Sequence, residues 1–330
     1  MLTAMHPREQ SGLVQMSGPG GTMPPPPSNR SAPPSSRSTP PPGFHVAFLG
    51  IGAMGAPMAA NIARRGFSLA VWNRHHERAR GLSALGARPR SSPRECVEGA
   101  RVIVTMLSDE RALMDVLTRE HGVLSGIERD AVLVDMSTIG RAAALRAAHV
   151  VREAGARFVD APVSGSVPPA ERGELVALVG GRLNDVTRAQ PVLLAMCKRL
   201  LHAGDVGQGQ ALKVLLNGVG AHHLVAYTSM LVLGERAGLA RRTIIEAFTQ
   251  SAFASPSYVQ KKEKMLAKDY SADFALALAA KDMALNAELQ QEAGLPLPVH
   301  RECQRAVDNA VAEGLGDEDL FALEKFYRKL

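Results

Sequence analysis

Lys213 and Asn217 stand four residues apart in the segment Gly207-Gln208-Gly209-Gln210-Ala211-Leu212-Lys213-Val214-Leu215-Leu216-Asn217. At helical spacing they share one face, and Leu212, Val214, Leu215, Leu216 and Val219 around them are apolar. A lysine on an otherwise apolar helix either snorkels to water or has a task. An ammonium beside a carbonyl oxygen polarises it and donates a proton while hydride reaches the carbon; the Asn217 amide can orient the same oxygen. Lys281-Asp282, in a helical stretch after Phe274, offers a second cation. An ordinary surface ion pair fits those two residues equally well. The run Asp160-Ala161-Pro162-Val163-Ser164-Gly165-Ser166 directly follows a strand-like segment. The Ser164 and Ser166 hydroxyls and the backbone at Gly165 can donate to a carboxylate, although a plain strand-to-loop turn has the same composition.

Hydride chemistry needs a carrier, and the chain has a place for one. Gly50-Ile51-Gly52-Ala53-Met54-Gly55 is a GxGxxG between a strand-like run and a helix-like stretch. In that context Gly50 permits a tight turn, Gly52 lets backbone approach a pyrophosphate, and Gly55 lets helix and strand pack closely. The helix N-terminus behind Met54 then turns free N–H groups towards the phosphates. An acidic residue commonly ends the second strand of an NAD site, where it holds the ribose hydroxyl. Here the sequence reads Asn73-Arg74-His75-His76. Arg74 can fork onto a 2′-phosphate that a carboxylate would repel, so Asn73 and Arg74 point to NADP(H) rather than NAD(H). A surface arginine at a helix start is the alternative for Arg74.

These groups need elements to hold them. Phe44–Leu49 reads as a first strand, a helix runs through Arg65 and stops at Gly66, and Ser68–Trp72 reads as a second strand. Further strands are expected at Arg101–Met106, Ala131–Met136, Arg157–Asp160, Leu175–Val179 and Arg199–His202, with helical patterns between most of them. Such alternation predicts a parallel sheet covered on both faces. After Gly209 the strand signals stop, and Ala- and Leu-rich helical periodicity takes over. The expected architecture is an α/β Rossmann-type dinucleotide-binding domain over 44–206, followed by an all-α domain over 207–330. Residues 1–43 hold 11 of the 21 prolines. Their burial would not offset the entropy of ordering them, so they read as a disordered Pro/Ser-rich tail.

Composition removes several classes of function. Apolar residues make 46% of the 330, enough for a real core, yet no uninterrupted apolar stretch of about 18 residues exists to span a membrane. Cys96, Cys197 and Cys303 are scattered without CxxC spacing. That opposes a zinc site or a disulfide framework and suggests a reducing compartment, the cytoplasm. The tail lacks the apolar core of a secretory signal; its Arg and Ser content also fits an organelle transit peptide, which its prolines oppose. Net charge is +6, but the basic residues are mixed with acidic ones and aromatics are only 4%. Neither a duplex-binding face nor a base-stacking platform is expected.

Four stretches together, Gly50–Asn61 (GIGAMGAPMAAN), Asp160–Ser166 (DAPVSGS), Gly207–Asn217 and Lys281-Asp282, resemble the β-hydroxyacid dehydrogenase family, from about Phe44 to the C-terminus. The resemblance implies a reductase or dehydrogenase with Lys213 as general acid and Asn217 holding the substrate beside it. It also implies Ser164 and Gly165 gripping a small-molecule carboxylate substrate, Lys281 beside the nicotinamide, and Met106, Leu107 and Thr138 touching the cofactor. Family members are usually dimers or tetramers built through the helical domain. Two departures stand out. The family's loop commonly ends Ser-Gly-Gly, whereas Ser166 ends it here. Leu216 occupies a position often taken by Asn or His; a His there typifies 6-phosphogluconate dehydrogenase. The run Ser164–Leu175 looks most like the glyoxylate/succinic semialdehyde reductase branch. The resemblance therefore implies NADPH-dependent reduction of small carbonyl acids. A 3-hydroxyisobutyrate dehydrogenase, an imine reductase on the same fold and a non-catalytic NADP-binding scaffold are the alternatives.

Overall fold

The computed structural model describes residues 44–330. The tail expected over 1–43 lies outside the described residues. Nine strands form one sheet: β1 (His45–Leu49), β2 (Ser68–Trp72), β3 (Arg88–Pro89), β4 (Val102–Thr105), β5 (Val132–Asp135), β6 (Arg157–Asp160), β7 (Val163–Ser164), β8 (Leu175–Gly180) and β9 (Cys197–Gly204). β1 shows why the sheet must be covered twice. Val46 and Phe48 join the core on one face and Ala47 and Leu49 the core on the other, and all four are buried. A strand buried on both sides reads as a continuous apolar run, as this one does.

Six strands run parallel in the order β3-β2-β1-β4-β5-β6. This is the doubly wound order, whose direction reverses between β1 and β4 and leaves a crevice at the carboxyl ends of the strands. Beyond β6 the sheet turns from the expected parallel arrangement to a mixed one. β8 pairs antiparallel with β6 through Asp160 and Gly180 and antiparallel with β7, while β9 runs parallel to β8. The reason is length. The only helix between β6 and β8 is the five-residue Val167–Glu171, about 7.5 Å long at 1.5 Å per residue. That is too short to return the chain along a four-residue strand of about 13 Å. The two-residue strands β3 and β7 are also unannounced by the sequence, being too short to show a period.

The remaining strands fall within two residues of their expected limits. From Gln208 onwards the described residues contain helices and turns, with a single isolated bridge between Ala275 and Asp319. The chief helices are Gln208–Arg236, Leu276–Glu292 and Pro298–Ala310, around a core that includes Leu224, Leu231, Ile245, Met283, Val307 and Phe321. No helix of the described residues is long and apolar enough to cross a membrane.

Candidate active site

The glycine turn closes on itself through backbone. Gly50 has φ +103°, and a methyl group on it would collide with the Met106 carbonyl and approach Leu107 Cδ2 to 2.9 Å. A methyl on Gly55 would strike the Gly50 carbonyl oxygen, whereas one on Gly52 would meet nothing within 4 Å. Gly50 and Gly55 are therefore small because protein crowds them, and Gly52 faces open space. The first helix, Gly55–Arg64, begins at Met54 without a side-chain cap or an acidic residue in its first turn. Its leading N–H groups and positive dipole end suit an anion. Asn73 braces this turn from beneath: its Oδ1 accepts from Ile51 N (2.9 Å) and its Nδ2 donates to the His75 carbonyl (3.0 Å). Asn73 is buried and Arg74, beside it, is exposed at the end of β2. An open glycine, an uncapped helix start and an exposed arginine fit the pyrophosphate and 2′-phosphate of a dinucleotide.

Across the crevice, two helices of the helical half carry Lys213, Asn217, Lys281 and Asp282. Asn217 Nδ2 donates to Asp282 Oδ2 (2.6 Å), and the Lys281 ammonium lies 3.4 Å from Asp282 Oδ1. That Oδ1 is buried without a hydrogen bond. Lys213 is half-buried. Burial pushes its amine below the usual lysine range, the Asp282 carboxylate pulls it back up, and the Lys281 charge pushes it down again. Lys281 reaches the other half of the molecule, donating to the Thr138 carbonyl (2.7 Å) and lying 3.4 Å from the Ser108 carbonyl. Asn217 and Lys281 are thus joined through Asp282, whose charge also reaches Lys213. Asp282 is the member that motif reading left aside, although it stands next to Lys281 in the same dipeptide.

The loops between these two clusters are held by a buried polar chain. Thr105 Oγ1 (2.8 Å) and Ser137 Oγ (2.7 Å) donate to Asp135 Oδ1, and Leu107 N donates to Ser137 Oγ (2.9 Å). Burial pushes the Asp135 carboxyl up to about 7 against those hydroxyls. Met106, Leu107 and Thr138 are carried on this frame, and the first two pack against Gly50. Asp160 does a different job. Its carboxylate accepts from Gly207 N (2.6 Å) and Gln210 N (2.8 Å) at the start of the helix that carries Lys213. Burial raises it to about 6, while those amides hold it down. Ser164, the last residue of β7, and Gly165 and Ser166 just after it are exposed. Gly165 has φ +128°, with Leu175 Cδ2 2.8 Å from where a methyl would stand. Among the described residues no hydrogen bond ties these serines to Lys213.

Two family models cover this architecture. The NAD binding domain of 6-phosphogluconate dehydrogenase matches residues 45–204, and the NAD-binding model of NADP-dependent 3-hydroxyisobutyrate dehydrogenase matches 207–327. The chain is 33% identical over 84% of its length to glyoxylate/succinic semialdehyde reductase 1 of Arabidopsis thaliana, covering 96% of that protein. It is 32% identical, again over 84% of its length, to the chloroplastic reductase 2 of the same plant, covering 78% of it. Among solved structures, 3-hydroxyisobutyrate dehydrogenase of Mycobacterium tuberculosis with L-serine superposes with a TM-score of 0.78 at 29% identity, over 86% of this chain and 99% of that one.

Proposed function

Because the chain belongs to the 3-hydroxyisobutyrate dehydrogenase family of NAD(P)-dependent oxidoreductases, we propose that it reduces small carbonyl acids of the glyoxylate and succinic semialdehyde class with NADPH, giving the hydroxy acid. The observation that carries the proposal is the half-buried Lys213 beside the Asn217–Asp282–Lys281 cluster. When bound, the nicotinamide cofactor supplies the hydride to the carbonyl carbon. Lys213 Nζ holds the proton that goes to the carbonyl oxygen, and its lowered affinity for that proton makes it a better acid than an exposed lysine. The Asp282 carboxylate opposes that lowering and so favours the protonated amine. Asn217, fixed by Asp282, orients the oxygen. Ser164, Gly165 and Ser166 grip the carboxylate, while Lys281 holds the Thr138 loop against the cofactor face.

Gly50, Gly52, Met54 and Gly55 cradle the pyrophosphate, and Arg74 pairs with the 2′-phosphate. The likeness to two reductases of glyoxylate and succinic semialdehyde supports the substrate class. We assign cofactor binding to 44–206, which also lends Ser164–Ser166 to the substrate, and the rest of the substrate site and oligomerisation to 207–330. The helix Gln208–Arg236 exposes Leu215, Leu216, Val219, Met230 and Leu233, a face suited to another copy of the chain in a homodimer or homotetramer. Three buried free cysteines suit the reducing cytoplasm; one relative is named chloroplastic, which keeps an organelle as the alternative.

The test is NADPH oxidation by the full chain with glyoxylate and with succinic semialdehyde, NADH in parallel and Lys213→Ala as control. Lysine-dependent turnover is expected, with kcat falling about 10²–10⁴-fold in the variant while NADPH still binds. Undiminished turnover by Lys213→Ala would overturn the proposed proton donor. Silence on both aldehydes with NADPH bound would overturn the substrate class.

A further inference from the structure

We infer that Gln210 is a positioning residue for Lys213, locking the first turn of the lysine-bearing helix to the cofactor-side loop after β5. Its side chain is fully buried. Oε1 accepts from both Ile139 N (3.1 Å) and Gly140 N (3.2 Å), and Nε2 donates to the Ser137 carbonyl (2.7 Å). Only one orientation of the amide satisfies two N–H donors and a carbonyl acceptor, so the network itself assigns oxygen and nitrogen. The Gln210 backbone N–H is meanwhile held by Asp160. Gln210 is thus fastened by both main chain and side chain.

It lies three residues before Lys213 and seven before Asn217, on the same helical face. The segment it grips, 137–140, contains Thr138, whose carbonyl receives Lys281, and Ser137, which joins Asp135 and Leu107. One short loop therefore takes the measure of both lysines and of the Met106-Leu107 turn. A slip of one residue along a helix moves a side chain by 1.5 Å and about 100°, whereas productive geometry tolerates about 0.5 Å. The long helix has its own core downstream through Leu224 and Leu231, so its existence does not depend on Gln210. Its azimuth against the loop does.

The inference rests on Lys213 being the proton donor, and the experiment separates the two claims. Gln210→Met keeps length and burial without the hydrogen bonds. Its kcat is expected to fall about 10–100-fold, as for reacting groups misplaced by about 1 Å, with KM and NADPH affinity within about threefold. Amide hydrogen exchange at Ile139 and Gly140 should accelerate. Gln210→Glu supplies a readout that a purely structural role would not move. As a carboxylate it turns an oxygen onto the Ser137 carbonyl; once protonated it donates there again. Asp135 and Asp160 flank it, so its kcat is read as a ratio to wild type at each pH, and that ratio should climb as pH falls from about 9 to about 6. An inactive Lys213→Ala beside a Gln210→Met with kcat within twofold of wild type would overturn the positioning role alone. So would a flat Gln210→Glu ratio. A fully active Lys213→Ala would overturn the proton donor and this assignment with it.

Discussion

In the proposed reading, the cofactor preference rests on a single side chain, Arg74. It is exposed at the end of β2, while its neighbour Asn73 is occupied beneath the glycine turn. Under the proposed NADPH preference, Arg74→Asp removes a charge-assisted bond and introduces a repulsion with the 2′-phosphate. Such bonds are worth about 1.5–3 kcal/mol, so NADPH affinity should fall at least tenfold. NADH, lacking that phosphate, should bind at least as well as before. Steady-state KM values for the two cofactors check this, and an unchanged preference would sink the assignment. At the same scale, Lys213 and Asn217 stand out in the sequence because a lysine interrupts an apolar helical run with an amide one turn on. Asp282 does not, because its part in the site depends on the packing of Leu276–Glu292 against Gln208–Arg236, which leaves no trace in local spacing. Gln210 was hidden for the same reason: its partners are backbone groups some 70 residues away.

Among the elements, the first β-turn-α unit separates fold from ligand binding. Gly50→Ala strains a φ of +103° and drives a methyl into the Met106 carbonyl. It should lower stability by about 1–3 kcal/mol, the scale of a strained backbone site, and lower the melting temperature with or without cofactor. Gly52→Ala meets no protein atom, so its apo melting temperature should match wild type. The stabilisation that added NADPH confers on wild type should nevertheless shrink, because the methyl occupies the space left for phosphate. If both variants melted alike and bound NADPH alike, the turn would have no pyrophosphate to hold. Sequence pattern found this unit to within a residue because it is local: a six-residue strand-like run, glycines, then a helix stopped by Gly66. The antiparallel turn at β8 escaped it, since strand direction depends on how far Val167–Glu171 can carry the chain.

For the whole molecule, stability and the site share buried acids. Asp135 is pushed up to about 7 by burial, far above the ordinary carboxylate value of about 3.9. A folded pKa above the unfolded one means that the unfolded chain releases its proton first. The stabilising difference is therefore complete at low pH and lost as pH rises from about 4 to about 7. Asp135→Asn cannot titrate, so its stability relative to wild type should rise through that window, by roughly 4 kcal/mol at most at 1.36 kcal/mol per unit. Denaturant melts of both proteins at pH 5, 6, 7 and 8 measure the difference. His222, held below the usual histidine range by burial and by His300 and His223, acts in the opposite sense but is common to both proteins. A difference that does not change with pH would mean that Asp135 titrates normally. By itself the sequence determined the Rossmann-type and helical halves and the glycine turn between the first strand and helix. Each is written in short-range spacing, where strand alternation, helical periodicity and glycine act over a few residues. Only the tertiary structure decided that Asn217 meets Asp282, that Asp160 holds the start of the lysine-bearing helix, and that Gln210 fastens that helix to the loop after β5. Those bonds join residues 47 to 73 positions apart, and burial, which sets both their strength and the proton affinities of Asp135 and Lys213, exists only in the folded chain.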